Sequence, residues 1–266
     1  MPEPVVLTDV TDRVAVITLN RPEARNALSR DVLAALPEAV AACDADDDVD
    51  VIVLTGADPA FCAGIDLKSL ASATTAPPSA DAPRTEGARQ EPFAPTRKPL
   101  IAAVNGAAVT GGLEVVLACD FVIASERARF ADTHARVGIM PGWGLTVRLA
   151  EAVGHRRARE MSTTGNFVDA PTAYGWGLVN HVVPHEELLP FCRALAADIV
   201  SNDQPGVREV LATYRAELAM TAEEQLDHES RRSREWMTAG GGRPEEVARR
   251  RELIMARGRA QNGDHR

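Results

Sequence analysis

The sequence predicts an α/β fold followed by a helical tail, and two observations support this prediction. Short apolar runs that end in Gly or Asn, typical of buried parallel strands, alternate with segments of helical periodicity in the first part of the chain. Beyond about Glu186 the strand pattern stops and only helical segments follow. We therefore expect a core over residues 1–190 and a helical region over residues 191–266.

The predicted strands are β-branched or apolar runs closed by turn residues, and they cover Val14–Leu19, Val51–Leu54, Leu100–Val104 and Phe121–Ala124. In the first predicted helix Ser29 is the expected N-cap, Pro37 is expected to bend the axis, and the apolar positions are Val32, Leu33, Leu36, Val40 and Cys43. A very apolar helix follows at Leu113–Ala118. The tail helices are expected at Leu188–Val200, Pro205–Met220, Thr221–Met237 and Pro244–Arg259.

Composition excludes several classes of protein. The 266 residues are 45% apolar and 25% charged, and the formal net charge of −9 has the wrong sign for a general nucleic-acid binder. No apolar stretch approaches the ~20 residues of a membrane span, and no basic region precedes an apolar run. The four cysteines lie far apart without metal-ligand spacing. We expect a cytoplasmic protein with no structural metal, no disulfides and no nucleic-acid partner.

Two loops could bind a developing negative charge. FCAGIDLK at Phe61–Lys68 follows a strand, and NGAAVTGGLE at Asn105–Glu114 places Gly111 and Gly112 at a helix N-terminus. Such positions leave backbone N–H groups unpaired, and one N–H from each loop could hold a carbonyl oxygen that becomes negative. The alternative for each loop is a tight turn without a ligand.

Glu114 and His134 are the titratable residues that stand out. Glu114 is the only charge in an apolar helix, so burial could prepare its carboxyl for proton transfer, although it could also be a simple partner of the helix dipole. His134 lies in a loop rich in Gly, Pro and Trp over 130–144, and it could be structural. An extended chain would direct Asp132 and His134 to opposite sides, so we expect a backbone or water partner for the histidine.

Other reaction types lack their sequence signatures. The chain has no GxSxG nucleophile elbow, no Walker A loop, no GxGxxG and no HExxH. Metal-dependent hydrolysis and nucleotide-binding folds therefore lose their main support.

Four segments together resemble the enoyl-CoA hydratase/isomerase, or crotonase, superfamily. They are RPEARNALS at Arg21–Ser29, FCAGIDLK at Phe61–Lys68, KPLIAAVNGAAVTGGLEVVLACD at Lys98–Asp120 and RVGIMPGWG at Arg136–Gly144. The resemblance covers about residues 5–185. It implies a spiral of ββα units, a C-terminal helical region that packs homotrimers or hexamers, and an acyl-CoA thioester as the ligand.

The resemblance also assigns site residues. The oxyanion-hole N–H groups are those of Ile65 and Gly111, with Thr110 in place of the usual first Gly. Glu114 matches the first of the two glutamates that handle protons in hydratases, but the second position falls on His134. Residues that match the CoA-binding segment, with an arginine within reach of the phosphates, are Ala63, Ile65, Asp66, Leu67, Lys68 and Arg25, together with the backbone of Gly111.

Three functions remain open at this point. The first is a lyase that adds water to an enoyl-CoA or removes it, with His134 replacing the second carboxylate, because imidazole exchanges protons near neutral pH. The second is another crotonase-type reaction on acyl-CoA, such as isomerisation, hydrolysis or C–C cleavage. The third is a non-catalytic acyl-CoA-binding protein. No cofactor is implied, since CoA is part of the substrate. We expect the loop Ala71–Pro95 to line the acyl pocket.

Overall fold

A computed structural model of the chain describes residues 3–66 and 91–263. Its strands are β1 (Val6–Thr11), β2 (Val14–Leu19), β3 (Val51–Gly56), β4 (Ala60–Cys62), β5 (Leu100–Val104), β6 (Ala107–Val109), β7 (Phe121–Ser125), β8 (Arg129–Ala131), β9 (Val168–Asp169) and β10 (His181–Val183). Its helices are α1 (Arg30–Ala45), α2 (Gly111–Leu117), α3 (His134–Val137), α4 (Leu145–Val153), α5 (His155–Thr164), α6 (Ala170–Trp176), α7 (Leu188–Val200), α8 (Gln204–Glu217), α9 (Ala222–Thr238) and α10 (Pro244–Gly263). Short 3₁₀ turns lie at Pro22–Ala24 and His185–Glu187.

The strands form two sheets. The larger sheet has the order β1-β2-β3-β5-β7-β10, in which the β1–β2 hairpin is antiparallel and the other pairs are parallel. The smaller sheet has the order β4-β6-β8-β9, and its first three strands are parallel. The chain repeatedly passes from a strand of the larger sheet to a strand of the smaller sheet and then to a helix, as in β5-β6-α2 and β7-β8-α3. This is the expected spiral of ββα units.

The predicted core elements are confirmed within one or two residues. The central strands β3 and β5 are buried along their whole length, as their two-sided apolar pattern predicted. Ser29 caps α1 by accepting a hydrogen bond from the Val32 N–H at 3.4 Å, and Pro37 lies inside this helix. The end of α1 is held by a lysine that the sequence did not single out, because the buried Lys98 Nζ donates to the Cys43 carbonyl at 2.8 Å.

The chain divides into two compact units, Met1–Gln204 and Pro205–Arg266. The sequence placed the division at residue 190, which lies inside α7. The second unit is helical, and α9 begins with a capping box between Thr221 and Glu224. Over the described part of the chain, no helix is both long and apolar enough to cross a membrane.

Candidate active site

Glu114 is a buried carboxylate at the start of α2, held by a loop from elsewhere in the chain. The residue is 4% exposed. Its Oε1 atom accepts hydrogen bonds from the backbone N–H of Trp143 at 2.8 Å and of Gly142 at 3.2 Å. Burial raises the pKa of the Glu114 carboxyl above its usual value, although these two N–H groups and the nearby His134 act in the opposite direction. The other oxygen, Oε2, lies outside this pair of backbone bonds.

His134 is bonded to Asp132, so the expectation of a backbone or water partner was wrong. The Nδ1 atom lies 2.6 Å from Asp132 Oδ1, and the same oxygen accepts the backbone N–H of His134 at 3.1 Å. The extended strand β8 ends at Ala131, and α3 begins at His134, so the chain turns between the two side chains and brings them to the same side.

The hydrogen bonds around Asp132 favour its ionised form. Burial alone would raise the pKa of the Asp132 carboxyl, but hydrogen bonds from the His134 ring, the Ser162 hydroxyl and the His134 backbone outweigh burial and bring this pKa below its usual value. Ser162 lies on α5, so three separate donors converge on one buried carboxylate.

The structure brings Glu114 and His134 together. The Nε2 atom of His134 lies 3.6 Å from Glu114 Oε2, and both side chains are about 95% buried. This separation is longer than a direct hydrogen bond, whereas one water oxygen could lie about 2.8 Å from both atoms. A water placed beside the two atoms could therefore hydrogen-bond both and exchange protons with them.

The loops that carry Ile65 and Gly111 also pack closely together. A Cβ atom added to Gly64 would lie 2.7 Å from the Val109 carbonyl oxygen and 3.4 Å from the Gly111 nitrogen, and a Cβ on Gly111 would lie 3.8 Å from Ile65 Cγ1. Gly64 has φ +87°, so glycine is required here both by backbone conformation and by space.

In the described parts of the chain, the N–H groups of Ile65 and Gly111 have no protein acceptor. The Leu28 N–H donates to the Gly64 carbonyl, and the Leu28 carbonyl accepts the Asp66 N–H. These two bonds direct the Ile65 N–H to the opposite side of the chain. Gly111 is the first residue of α2, where an N–H has no partner within its helix. Within residues 3–66 and 91–263, neither N–H donates to a protein acceptor.

Thr110 precedes this donor in a conformation that favours glycine. Its φ of 55° and ψ of −113° are unusual for a β-branched residue, and its backbone N–H donates to the Ala131 carbonyl at 2.9 Å. The Thr110 and Thr133 hydroxyls lie 2.5 Å apart. Thr133 directly precedes His134, so these contacts connect the loop of Gly111 to the loop of His134.

The segment expected to bind CoA is described only in part. The Arg25 side chain is exposed, and its backbone carbonyl accepts the Ala63 N–H at 3.0 Å, which places it beside the Phe61–Asp66 loop. Asp66 forms an ion pair with Arg21 at 3.2 Å, a partner that the sequence did not indicate. Leu67 and Lys68 lie outside the described residues, and so does most of the expected pocket loop Ala71–Pro95.

Sequence reasoning also missed Ser162 and Arg148. Arg148 donates to the Trp143 carbonyl at 3.1 Å and forms an ion pair with Glu91, so it supports the loop whose N–H groups hold Glu114. Neither residue belongs to a motif, and only tertiary contact identifies them. Among the described residues, no three His, Cys, Asp or Glu side chains are grouped as metal ligands.

Comparisons with known proteins identify the family to which this chain belongs. The family model described as enoyl-CoA hydratase/isomerase matches residues 9–239. The chain is 37% identical over 245 residues to a probable peroxisomal enoyl-CoA hydratase 1 of Arabidopsis thaliana, covering 92% of this chain and 90% of the relative. It is 38% identical over 208 residues to a crotonyl-CoA hydratase of Syntrophomonas wolfei, covering 76% and 78%.

A solved structure gives the same result for the fold. The enoyl-CoA hydratase of Mycobacterium tuberculosis H37Rv matches with a TM-score of 0.74 and 48% identity, covering 86% of this chain and 98% of that one. The fold is therefore crotonase-like, as expected, and the chain belongs to the enoyl-CoA hydratase/isomerase family of enzymes.

Proposed function

We propose that this enzyme adds water to the double bond of an α,β-unsaturated acyl-CoA thioester, and catalyses the reverse dehydration. The observation that carries the proposal is the pair of proton-exchanging atoms, Glu114 Oε2 and His134 Nε2, which face each other at 3.6 Å. Hydration requires two groups that hydrogen-bond the same water, because the water must be oriented and deprotonated as it attacks.

The thioester oxygen would lie between the N–H groups of Ile65 and Gly111. When water attacks the β-carbon, a C–O bond forms, and the electron pair of the double bond moves onto the thioester oxygen to give an enolate. Two N–H donors that have no other protein acceptor in the described parts of the chain would stabilise this negative charge. This supports assigning Ile65 and Gly111 as the oxyanion hole.

Proton transfer completes the reaction. The O–H bond of water breaks as the Glu114–His134 pair takes the proton, and a C–H bond forms at the α-carbon when the pair returns a proton to the enolate. The raised pKa of the Glu114 carboxyl suits a group that must both accept and donate a proton. The net change is addition of one water, so no cofactor is required, and CoA enters as part of the substrate.

The CoA portion of the substrate is assigned to the Arg25 and Phe61–Asp66 region. The exposed Arg25 side chain offers a cation to the CoA phosphates. The methyl group of Ala63 and the absence of a side chain at Gly64 permit close approach to the backbone. Leu67 and Lys68 follow this segment in the sequence, and they are assigned to CoA binding because they match the family pattern.

Thioester hydrolysis is the second candidate function. The observation that favours it is the Asp132–His134 pair, because a histidine oriented by a carboxylate is a common base for activating a nucleophile. Hydrolysis would direct the same water to the thioester carbon and release free CoA.

One assay separates these functions. Crotonyl-CoA is the first substrate to test, because one relative is named for it. We expect loss of the enoyl absorbance with formation of 3-hydroxybutyryl-CoA, identified by mass spectrometry, and no release of free thiol. Free CoA instead of the hydroxyacyl product would establish the hydrolase. Binding without turnover across a panel of enoyl and saturated thioesters would establish a binding protein.

We also propose that the enzyme is a homotrimer or a hexamer. The helical unit Pro205–Arg266 leaves large apolar side chains exposed, among them Tyr214, Leu218, Leu226, Leu253 and Ile254. Exposing this apolar surface to water costs an isolated chain free energy, and a second copy could cover it. Light scattering is expected to give a mass of three or six chains, and a stable monomer at micromolar concentration would contradict the proposal.

The cysteines support a cytoplasmic location. Cys43, Cys62 and Cys192 are buried, and all four cysteines are free thiols, as is usual in a reducing compartment.

A further inference from the structure

We propose that Asp132 is the positioning residue of this site: it holds His134 in the tautomer protonated at Nδ1 and supplies the negative charge that stabilises the ring when Nε2 takes a proton. The reacting proton is thereby confined between His134 Nε2 and Glu114 Oε2. The assignment of these atoms to water activation rests on the proposed hydration, whereas the state of the ring does not.

The first step of the argument concerns Asp132. Its Oδ1 atom faces the His134 Nδ1 at 2.6 Å and accepts the His134 backbone N–H at 3.1 Å, and its carboxylate also accepts the Ser162 hydroxyl. A buried carboxylate with this many donors around it is an acceptor only. The ring atom that faces it must therefore carry a proton, which places the proton of a neutral His134 on Nδ1 and the lone pair on Nε2.

The second step concerns Glu114. Its Oε1 atom already accepts two backbone N–H groups, from Gly142 and Trp143. Protonation of this oxygen would cost one of these hydrogen bonds, so it is disfavoured. A proton on the Glu114 carboxyl therefore resides on Oε2, the oxygen that faces His134 Nε2. Hydrogen bonds thus hold one polar atom of each side chain. The other polar atoms, His134 Nε2 and Glu114 Oε2, face each other and can exchange a proton.

In this pair, the atoms that point away from the reaction, His134 Nδ1 and Glu114 Oε1, are both held by hydrogen bonds to the protein. If His134 adopted the other tautomer, its Nε2–H would point toward Glu114 and no lone pair would remain to receive the proton of water. If the charge on Asp132 were lost, the imidazolium that forms during the reaction would lose its buried counter-ion. Both losses act on turnover, and neither removes a contact to CoA.

The ring state can be measured without any substrate. In protein labelled with ¹⁵N-histidine, the signals of His134 are assigned by comparison with His134→Ala, and the Nδ1 and Nε2 shifts distinguish the two tautomers. We expect Nδ1 to be protonated in the wild-type enzyme and Asp132→Ala to shift the ring toward the Nε2-protonated form. An unprotonated Nδ1 in the neutral wild-type ring would overturn the proposal.

Kinetics with crotonyl-CoA test the effect on turnover. Asp132→Asn keeps an acceptor oxygen but removes the charge, and we expect kcat to fall about 100- to 10,000-fold, as when the carboxylate behind a catalytic histidine is replaced by an amide. KM should stay within about threefold, because nothing that touches CoA is changed. Asp50→Asn is the matched control, because Asp50 is likewise a buried carboxylate that accepts a side-chain hydrogen bond, in its case from Arg13. We expect that control to keep wild-type kcat.

The possible failures can be told apart. A wild-type enzyme that hydrates no enoyl-CoA of the panel, but whose His134 ring is protonated at Nδ1, would contradict the proposed function and leave the positioning role intact. A folded Asp132→Asn variant with kcat within threefold of wild type would contradict the positioning role while the proposed function stands. If the Asp132 variants do not fold, the tautomer of the wild-type ring decides the question.

Discussion

Glu114→Gln is expected to reduce turnover of crotonyl-CoA by about 100- to 10,000-fold, the usual contribution of a group that transfers protons. Glutamine has nearly the shape of glutamate, so its oxygen can still accept the N–H groups of Gly142 and Trp143, and its NH₂ group can face His134. What it cannot do is take up or release a proton at the position of Oε2. Steady-state kinetics should show the loss in kcat, with KM for the thioester nearly unchanged.

The same substitution is expected to stabilise the protein at neutral pH. The folded-state pKa of Glu114 is raised by burial, so the folded protein binds this proton more tightly than the unfolded chain does. The stabilisation from that proton is fully present below the unfolded pKa, about 4.3, and is lost as pH rises through the folded pKa. Because glutamine does not ionise, the free energy of unfolding of the variant should exceed that of wild type above this window.

Denaturant unfolding at several pH values checks this prediction. The difference between the variant and wild type should grow as pH rises through the window and then become constant. Glu223→Gln, which changes an exposed carboxylate on α9, is the control and should show no such trend. A difference between the variant and wild type that stays constant or falls as pH rises would mean that the buried charge does not oppose folding.

The parts of the fold that the sequence predicted are those whose structure depends on local pattern. The strands β2, β3, β5 and β7 have continuous apolar runs because both faces are buried, and α1 has a cap and a periodic apolar face. The strand β1 was missed because Val6–Thr11 lies at the sheet edge, where nearly every residue is exposed and burial imposes no pattern.

The candidate site could be predicted as a set of residues, but its bonds could not. Family motifs indicated Glu114, His134, Ile65 and Gly111 by their positions. The contact of Glu114 with the Trp143 N–H joins residues 29 apart, and it depends on how one loop turns back over α2. The Asp132–His134 bond is local, yet it was predicted wrongly, because an extended strand was assumed where the chain turns into α3.

Gly111→Pro is expected to reduce kcat for crotonyl-CoA by about 100- to 1,000-fold, the usual cost of removing one oxyanion-hole donor. Proline lacks the N–H group, and at the first position of a helix, where Gly111 lies in α2, its absence breaks no hydrogen bond within the helix. Because proline also restricts the preceding residue and Thr110 has φ 55°, circular dichroism must show that the variant keeps the wild-type fold. The bound thioester would keep only the Ile65 N–H as a partner for its developing charge.

Gly111→Ala is the matched control for this loss. Alanine keeps the N–H, and its Cβ would lie 3.0 Å from the end of the Leu28 side chain, which must shift by a few tenths of an ångström. We therefore expect a much smaller loss of turnover from alanine than from proline. Comparing the two variants separates the effect of the donor from that of added bulk.

Infrared spectroscopy of a thioester labelled with ¹³C at the carbonyl measures the interaction directly. Two N–H donors polarise a bound carbonyl and lower its stretching frequency, so the frequency in wild type should lie below that of the free thioester, and the proline variant should recover part of the difference. The alanine variant should stay near wild type. If the proline variant instead matches the alanine variant in both turnover and carbonyl frequency, then the Gly111 N–H does not contact the thioester oxygen, and the charge must be stabilised by another group.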